Sequence, residues 1–193
     1  KRTVIPWEQI SDTIKKATLA AEDSEFYNHK GIDFKGILRA FYKDVIHLSA
    51  SQGGSTITQQ LVKKSLLGDE KTVARKIKEA VLSVQVERKF TKDQIFWMYL
   101  NQIPYGSNAY GIEAAAQTYF GKPAKDLDLA EAALLASLPK APSYYSPYGN
   151  RYSELMARKD SILERMKSLG YINQTEYDSA KKEKFQFNQP SDM

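Results

Sequence analysis

Apolar residues recur three or four positions apart along most of the chain, and this spacing predicts a succession of amphipathic helices. Thr3, Val4 and Ile5 form a short extended lead-in, closed by Pro6. Ile10, Ile14, Ala17 and Ala21 then mark a helix over about residues 7–23, with Pro6 suited to its start. Phe34, Ile37, Leu38, Phe41, Val45 and Leu48 follow at helical spacing, with Lys35, Arg39 and Lys43 between them. That apolar face with basic flanks has the pattern of an interfacial helix, although taken alone the segment reads first as an ordinary helix docked on a core. Past Gly53 and Gly54, with Ser55 as a good N-cap, a helix is expected through Lys64. Gly68 to Glu70 breaks it. The next begins near Thr72 and is expected to bury Val73, Ile77, Ala80 and Val84, with Lys71, Arg75, Lys78 and Glu79 gathered on the opposite side.

The second half of the chain has clearer punctuation. Thr91 and Gln94 form a capping box before a helix over 92–100 that is apolar nearly all round, Trp97 included, and should be deeply buried. Residues 101–106 read as irregular. An alanine-rich helix over 112–120 is closed by Gly121 and Pro123. Asp128 and Glu131 cap a helix over 129–138, which Pro139 ends. A proline- and tyrosine-rich connection leads to a long amphipathic helix over 152–169, and a last short one starts at Asn173. Strand signals are almost absent, so the predicted fold class is all-α, with a projecting lobe at about residues 32–52.

Composition adds bounds rather than identity. The 193 residues suffice for one domain with a core, built as one lobe or two, and 42% hydrophobic with 26% charged residues is ordinary for a globular chain. Cysteine is absent and only His29 and His47 are present, which argues against disulfide and zinc frameworks. The net charge of +5 suits nucleic acid, anionic lipid or a phosphorylated substrate. No apolar run reaches the roughly 18 residues that a membrane-spanning helix needs. The chain starts abruptly at Lys1 and ends in a polar tail, so it reads as a fragment of a longer protein.

Two stretches carry candidate chemistry. Glu22-Asp23-Ser24-Glu25-Phe26-Tyr27-Asn28-His29-Lys30-Gly31 places three carboxylates, two aromatics, a histidine and a turn glycine just after a helix, and small residues before Glu22 allow close approach to it. A carboxylate there can serve as a general base. Gly53-Gly54-Ser55-Thr56-Ile57-Thr58-Gln59-Gln60-Leu61-Val62-Lys63 opens a helix on which Thr56, Gln60 and Lys63 share one face, a hydroxyl, an amide and an ammonium. Such a helix start can bind phosphate, although the glycine–lysine spacing is not that of a Walker A loop. By itself, Glu79 four residues after Arg75 is an exposed ion pair.

These two stretches, together with Arg75-Lys76-Ile77-Lys78-Glu79, Lys92-Asp93-Gln94-Ile95-Phe96-Trp97-Met98-Tyr99-Leu100-Asn101 and Arg158-Lys159-Asp160-Ser161-Ile162-Leu163, resemble in order the five motifs of the peptidoglycan glycosyltransferases, glycosyltransferase family 51. These are the polymerising domains of class A penicillin-binding proteins and the monofunctional transglycosylases. The resemblance implies a lysozyme-like bilobal helical fold: one domain over 1–193 with a large head lobe and a small jaw lobe at about 32–52, partly embedded in the membrane. Any transmembrane anchor or transpeptidase domain would lie outside the chain. The fourth motif usually carries a glutamate where this sequence has Trp97, which affects a charge pairing with the third motif.

The resemblance also implies the activity: polymerisation of lipid II into β-1,4-linked glycan strands, with inversion and release of undecaprenyl pyrophosphate. It singles out Glu22 as the base. Lys63, Lys71 and Arg75 would hold the pyrophosphate, and Glu79 would act at the leaving group, either by orienting those cations or by holding a divalent cation, Mg2+ or Mn2+. Asp23 would orient the first motif and its neighbouring cations, Phe26 and His29 would shape the site, and Ser55, Thr56, Gln59 and Gln60 would line the substrate. No organic cofactor is implied. Implied partners are lipid II as donor and acceptor, the growing strand, an anionic membrane surface through the jaw lobe, and moenomycin as inhibitor, at the extracytoplasmic face of the bacterial cytoplasmic membrane. A glycan-cleaving muramidase or lytic transglycosylase is the nearest alternative, but it has no pyrophosphate to hold. A basic nucleic-acid-binding module is the other; here cations alternate with carboxylates and no reading helix is recognisable, so no nucleic-acid partner is expected.

Overall fold

A computed structural model describes residues 1–36, 38, 54–68 and 70–190. Most of the expected jaw lobe, and with it most of the apolar positions from Ile37 to Leu48, lies outside the described residues. Among those described, helices are separated by short turns and the sole sheet is a two-stranded hairpin, so the fold class is all-α as the periodicity predicts. The chain divides into two compact units, one of residues 1–21 with 100–193 and one of residues 22–99.

The first unit joins both ends of the chain. Helix α1 (Asp12–Glu22) starts at Ser11, whose Oγ accepts from Ile14 N at 3.2 Å, and it buries Ile14, Ala17 and Leu19. The helix expected from residue 7 is interrupted: Trp7–Gln9 is a single 3-10 turn and Ile10 is extended. Ile5 N donates to Asn101 Oδ1 at 3.0 Å, which clips the lead-in to the end of a later helix. The segment read as irregular after that helix is a small hairpin, β1 (Pro104–Gly106) and β2 (Ala109–Tyr110), turned by Ser107 and Asn108 at φ 52° and 58°. Two left-handed residues without glycine form the turn, so the usual glycine cue for a tight hairpin is missing.

The rest of this unit is built from α5 (Ile112–Phe120), α6 (Leu129–Ala136), α7 (Tyr152–Ser168) and α8 (Gln174–Lys182). Helix α6 is the centre of its core, buried from Ala130 through Ala136. Asp128 with Glu131, and Asn173 with Glu176, form complete capping boxes, as the sequence predicts for the first pair. In the fifth motif, Arg158 Nε donates to Ser137 O at 2.9 Å, and the buried Lys159 reaches Asp160 at 2.8 Å and lies over the Phe185 ring. That motif therefore ties α7 to the end of α6 and to the C-terminal tail.

The second unit contains α2 (Ile57–Val62), continued by a wide π-helical turn over Lys63–Leu67, then α3 (Val73–Lys89) and most of α4 (Lys92–Gln102). Helix α4 is buried at Ile95, Phe96, Tyr99 and Leu100, as its apolar character predicts. Helix α3 contradicts the periodicity. Val73, Ile77 and Val81 are 79%, 60% and 53% exposed, and the buried positions are Glu79 and Ser83. The helix turns its polar side inward because that side carries the interactions described below. The expected burial of Val73 and Ile77 is therefore incorrect, as is the reading of Glu79 as an exposed pair with Arg75.

Candidate active site

All the sequence-predicted site residues fall in the second unit. Helix α1 ends at Glu22, and the chain then folds through two successive turns, with Phe26 N donating to Asp23 O and Asn28 N to Glu25 O. The three acids of this stretch separate at once. Asp23 is buried, and its Oδ2 accepts from Ile57 N at 3.1 Å and bonds His29 Nε2 at 2.7 Å. Glu25 is exposed and accepts from Asn28 Nδ2. Glu22 is half-buried, and its Oε2 accepts from Gln60 Nε2 at 3.0 Å.

His29 is fixed in one tautomer by geometry. Gly31 N–H donates to Nδ1 at 3.1 Å, so Nδ1 carries a lone pair and the ring proton sits on Nε2, facing Asp23. The ring is neutral in this arrangement and anchors the turn. Gly31 is required here twice over. Its φ is +95°, and a Cβ would lie 2.9 Å from Ser83 O in α3. Phe26 is fully buried, edge-on to Tyr27, His29 and Phe96. Tyr27 donates to Asp93 at 2.8 Å; burial first, and then that bond and the Asp93 charge, hold its phenol well above its usual range.

Helix α2 starts at Thr56, one residue later than the expected Ser55. Thr56 accepts from Gln59 N, Gln59 Oε1 accepts from Thr56 N, and Thr56 Oγ1 donates to Gly31 O at 2.7 Å. Both side chains are at most 3% exposed. Thr56 and Gln59 thus hold the backbone of the first motif against the second. The Ser55 hydroxyl accepts from Lys76 Nζ at 2.6 Å, and Lys76 Nζ also donates to Glu79 Oε1 at 2.7 Å. Gln60 Nε2 approaches Ser55 O at 3.5 Å. A polar chain therefore runs from Glu22 through Gln60, Ser55 and Lys76 to Glu79, linking the two expected catalytic carboxylates.

The three expected phosphate-holding cations lie outside that chain. Lys63 is half-buried at the end of α2 and Lys71 is exposed before α3. Arg75 pairs with Glu70 at 3.1 Å, not with Glu79. Lys76, within the third motif but not singled out by the sequence, neutralises Glu79 from three residues away. That pairing is made within α3, so it does not draw on a fourth-motif glutamate at the position of Trp97.

A second buried network was also missed. Glu87 Oε1 accepts from Thr58 Oγ1 and Lys92 Nζ, both at 2.7 Å, and Lys92 lies 4.4 Å from the centre of the Phe26 ring. Its one available signal was a carboxylate and a lysine bracketing the helix break at Phe90. Among the described residues no group of three or more acids or histidines could hold a metal ion. A single carboxylate, Glu79, fits only the looser arrangement in which a hard cation is held jointly by protein and substrate phosphate.

Among the described residues the candidate site thus has an oriented carboxylate at a helix end, a second one beside a lysine, and further cations in the same unit. In comparison with known proteins, residues 1–167 match the family model described as Transglycosylase, and the chain belongs to that family. It is 47% identical over 183 residues to penicillin-binding protein 1A of Pseudomonas aeruginosa, covering 95% of this chain and 22% of that protein. It is 44% identical over 188 residues to penicillin-binding protein 1A of Escherichia coli K12, covering 97% and 22%. The crystal structure of penicillin-binding protein 1A from Haemophilus influenzae matches with a TM-score of 0.60 and 25% identity, over 99% of this chain and 19% of that one. The chain thus spans about a fifth of the length of the curated relatives it matches.

Proposed function

We propose that this chain is a peptidoglycan glycosyltransferase that polymerises lipid II into β-1,4-linked glycan strands, with Glu22 as general base. The observation that carries the base is the contrast among the three acids: Asp23 is committed to His29 and a helix start, Glu25 is exposed, and Glu22 is oriented by an amide. Glu22 takes the proton of the acceptor GlcNAc 4-hydroxyl while that oxygen attacks C1 of the donor MurNAc. The C1–O bond to pyrophosphate breaks, its electron pair leaves with undecaprenyl pyrophosphate, and the anomeric centre inverts.

Charge develops on the leaving pyrophosphate, and fixed cations in a partly dry site stabilise it more than water does. Lys63, Lys71 and Arg75 are proposed to hold it, with Lys76 added because it already sits on Glu79. Glu79 would orient these cations or hold Mg2+ or Mn2+ beside the phosphates, and the ion when bound would supply further positive charge. Gln60 acts on the base directly; Phe26 and His29 shape the turn around it.

The substrate is lipid-linked, so the site works at a membrane surface, here proposed as the extracytoplasmic face of the cytoplasmic membrane. Among the described residues no helix is long and apolar enough to cross a membrane. Contact with an anionic surface is proposed through the jaw region and, in addition, through the exposed stripe Val73, Ile77 and Val81 of α3, with Arg88 on the same side. Purified protein incubated with lipid II should yield glycan polymer, and moenomycin should block it. Soluble muropeptides released from purified sacculi, with no polymer from lipid II, would favour the muramidase reading instead.

A further inference from the structure

Glu22 is held by Gln60, and Gln60 is itself held from the other end. Its Oε1 accepts from the Tyr99 hydroxyl at 3.2 Å, and Tyr99 is fully buried on α4. The polarity of this chain follows from chemistry. An ionised carboxylate only accepts, so the amide nitrogen of Gln60 must face Glu22 and its carbonyl must face Tyr99. The phenol must then donate. Were the amide reversed, two oxygens would confront each other at Glu22, so the carboxylate sets the amide's orientation and Tyr99, able to donate or accept, donates to the carbonyl that results.

We propose that Tyr99 is a positioning residue for the reaction, acting on Glu22 through Gln60: its hydroxyl locks the carbonyl end of the amide in place and so holds the nitrogen on the carboxylate. The inference rests on the reading of Glu22 as base. Donation to the charged form favours it, so the lock keeps the base ionised as well as aimed. Without the hydroxyl, the amide can rotate about its last torsion and the carboxylate loses part of its donor. Tyr99→Phe removes a single oxygen and leaves the buried ring in place.

The test is lipid II polymerisation by Y99F, Q60A and the double variant across pH. Loss of one oriented hydrogen bond to a charged group corresponds to roughly a tenfold fall in kcat, and KM should stay within about twofold. The acidic limb of the kcat profile should move to higher pH by roughly half to one pH unit. Because Tyr99 acts through Gln60, adding Y99F to Q60A should cost less than about twofold more. Wild-type kcat and an unmoved acidic limb in Y99F would overturn the inference, as would a full tenfold loss on the Q60A background. If Y99F proves unfolded by thermal denaturation, Q60M carries the test: the same raised limb supports the lock and an unmoved one overturns it. E22Q separates the two levels. An inactive E22Q with an unaffected Y99F removes only the lock, whereas an active E22Q removes the base and the lock with it.

Discussion

Lys92→Met takes a cation out of the second unit and leaves its partner behind. In the wild type the Lys92 and Glu87 side chains are 20% and 7% exposed and their charged atoms are 2.7 Å apart. Breaking such a pair from one side costs about 3–5 kcal/mol, because the remaining charge is buried without compensation. The ammonium also loses its place over the Phe26 ring, worth about 1 kcal/mol. The expected deficit is therefore about 4–6 kcal/mol at pH 7. Urea denaturation should show the midpoint lowered by roughly 2–3 M, for a slope of about 2 kcal/mol per M. The double variant E87Q/K92M should recover most of the loss, since Thr58 still bonds an uncharged amide. A K92M midpoint within about 0.5 M of wild type at pH 7 would refute the reasoning.

Gly31→Ala should destabilise by about 1–3 kcal/mol from its left-handed backbone alone, plus the clash with Ser83 O, read as a lowered urea midpoint. The triple change V73S/I77S/V81S should leave folding intact, since those side chains already face solvent, while binding to anionic vesicles weakens at least tenfold; unchanged cosedimentation would contradict membrane contact there. Glu79→Gln should slow polymerisation at saturating lipid II less completely than Glu22→Gln. The C-terminal tail should hold more tightly at low pH. Burial first, then hydrogen bonding to Asp128 and the charges of Asp128 and Glu131, push the Glu183 carboxyl up to about 7, against an opposing effect of Lys122. A folded value raised above the ordinary one gives stabilisation that is full below about 4.5 and is lost as pH rises through about 7. Amide exchange at Asn188, whose N–H donates to Tyr119 O, should therefore become less protected from pH 6 to pH 8, and E183Q should flatten that trend.

The helices of the first unit were legible because their caps are local. Asp128 with Glu131 satisfies backbone groups within one turn, and the sequence alone contains that information. Helix α3 was misread because periodicity assumes that the apolar face is the buried one. In α3 the buried face is set by the approach of Gly31 to Ser83 and by Lys76 reaching Ser55, contacts with residues distant in sequence, on top of the local Lys76–Glu79 pair. For the same reason the motifs located the site but not its wiring. Glu22, Gln60 and Glu79 sit in motifs that the sequence pointed to, whereas the bonds from Tyr99 to Gln60, from Lys76 to Ser55 and from Lys92 to Glu87 join separate elements. Thr56 and Gln59 show the converse: polar residues in a motif whose groups are turned inward to hold a helix start.

The central claim is that Glu22 removes the acceptor proton. The most direct test is polymer formation from purified lipid II by Glu22→Gln, compared with wild type at matched fold by circular dichroism. The substitution keeps shape and leaves Gln60 a carbonyl to donate to, but it takes away the basic oxygen. The account expects no glycan strand and no undecaprenyl pyrophosphate above background at any pH. Strand synthesis at a wild-type rate by that variant would contradict it.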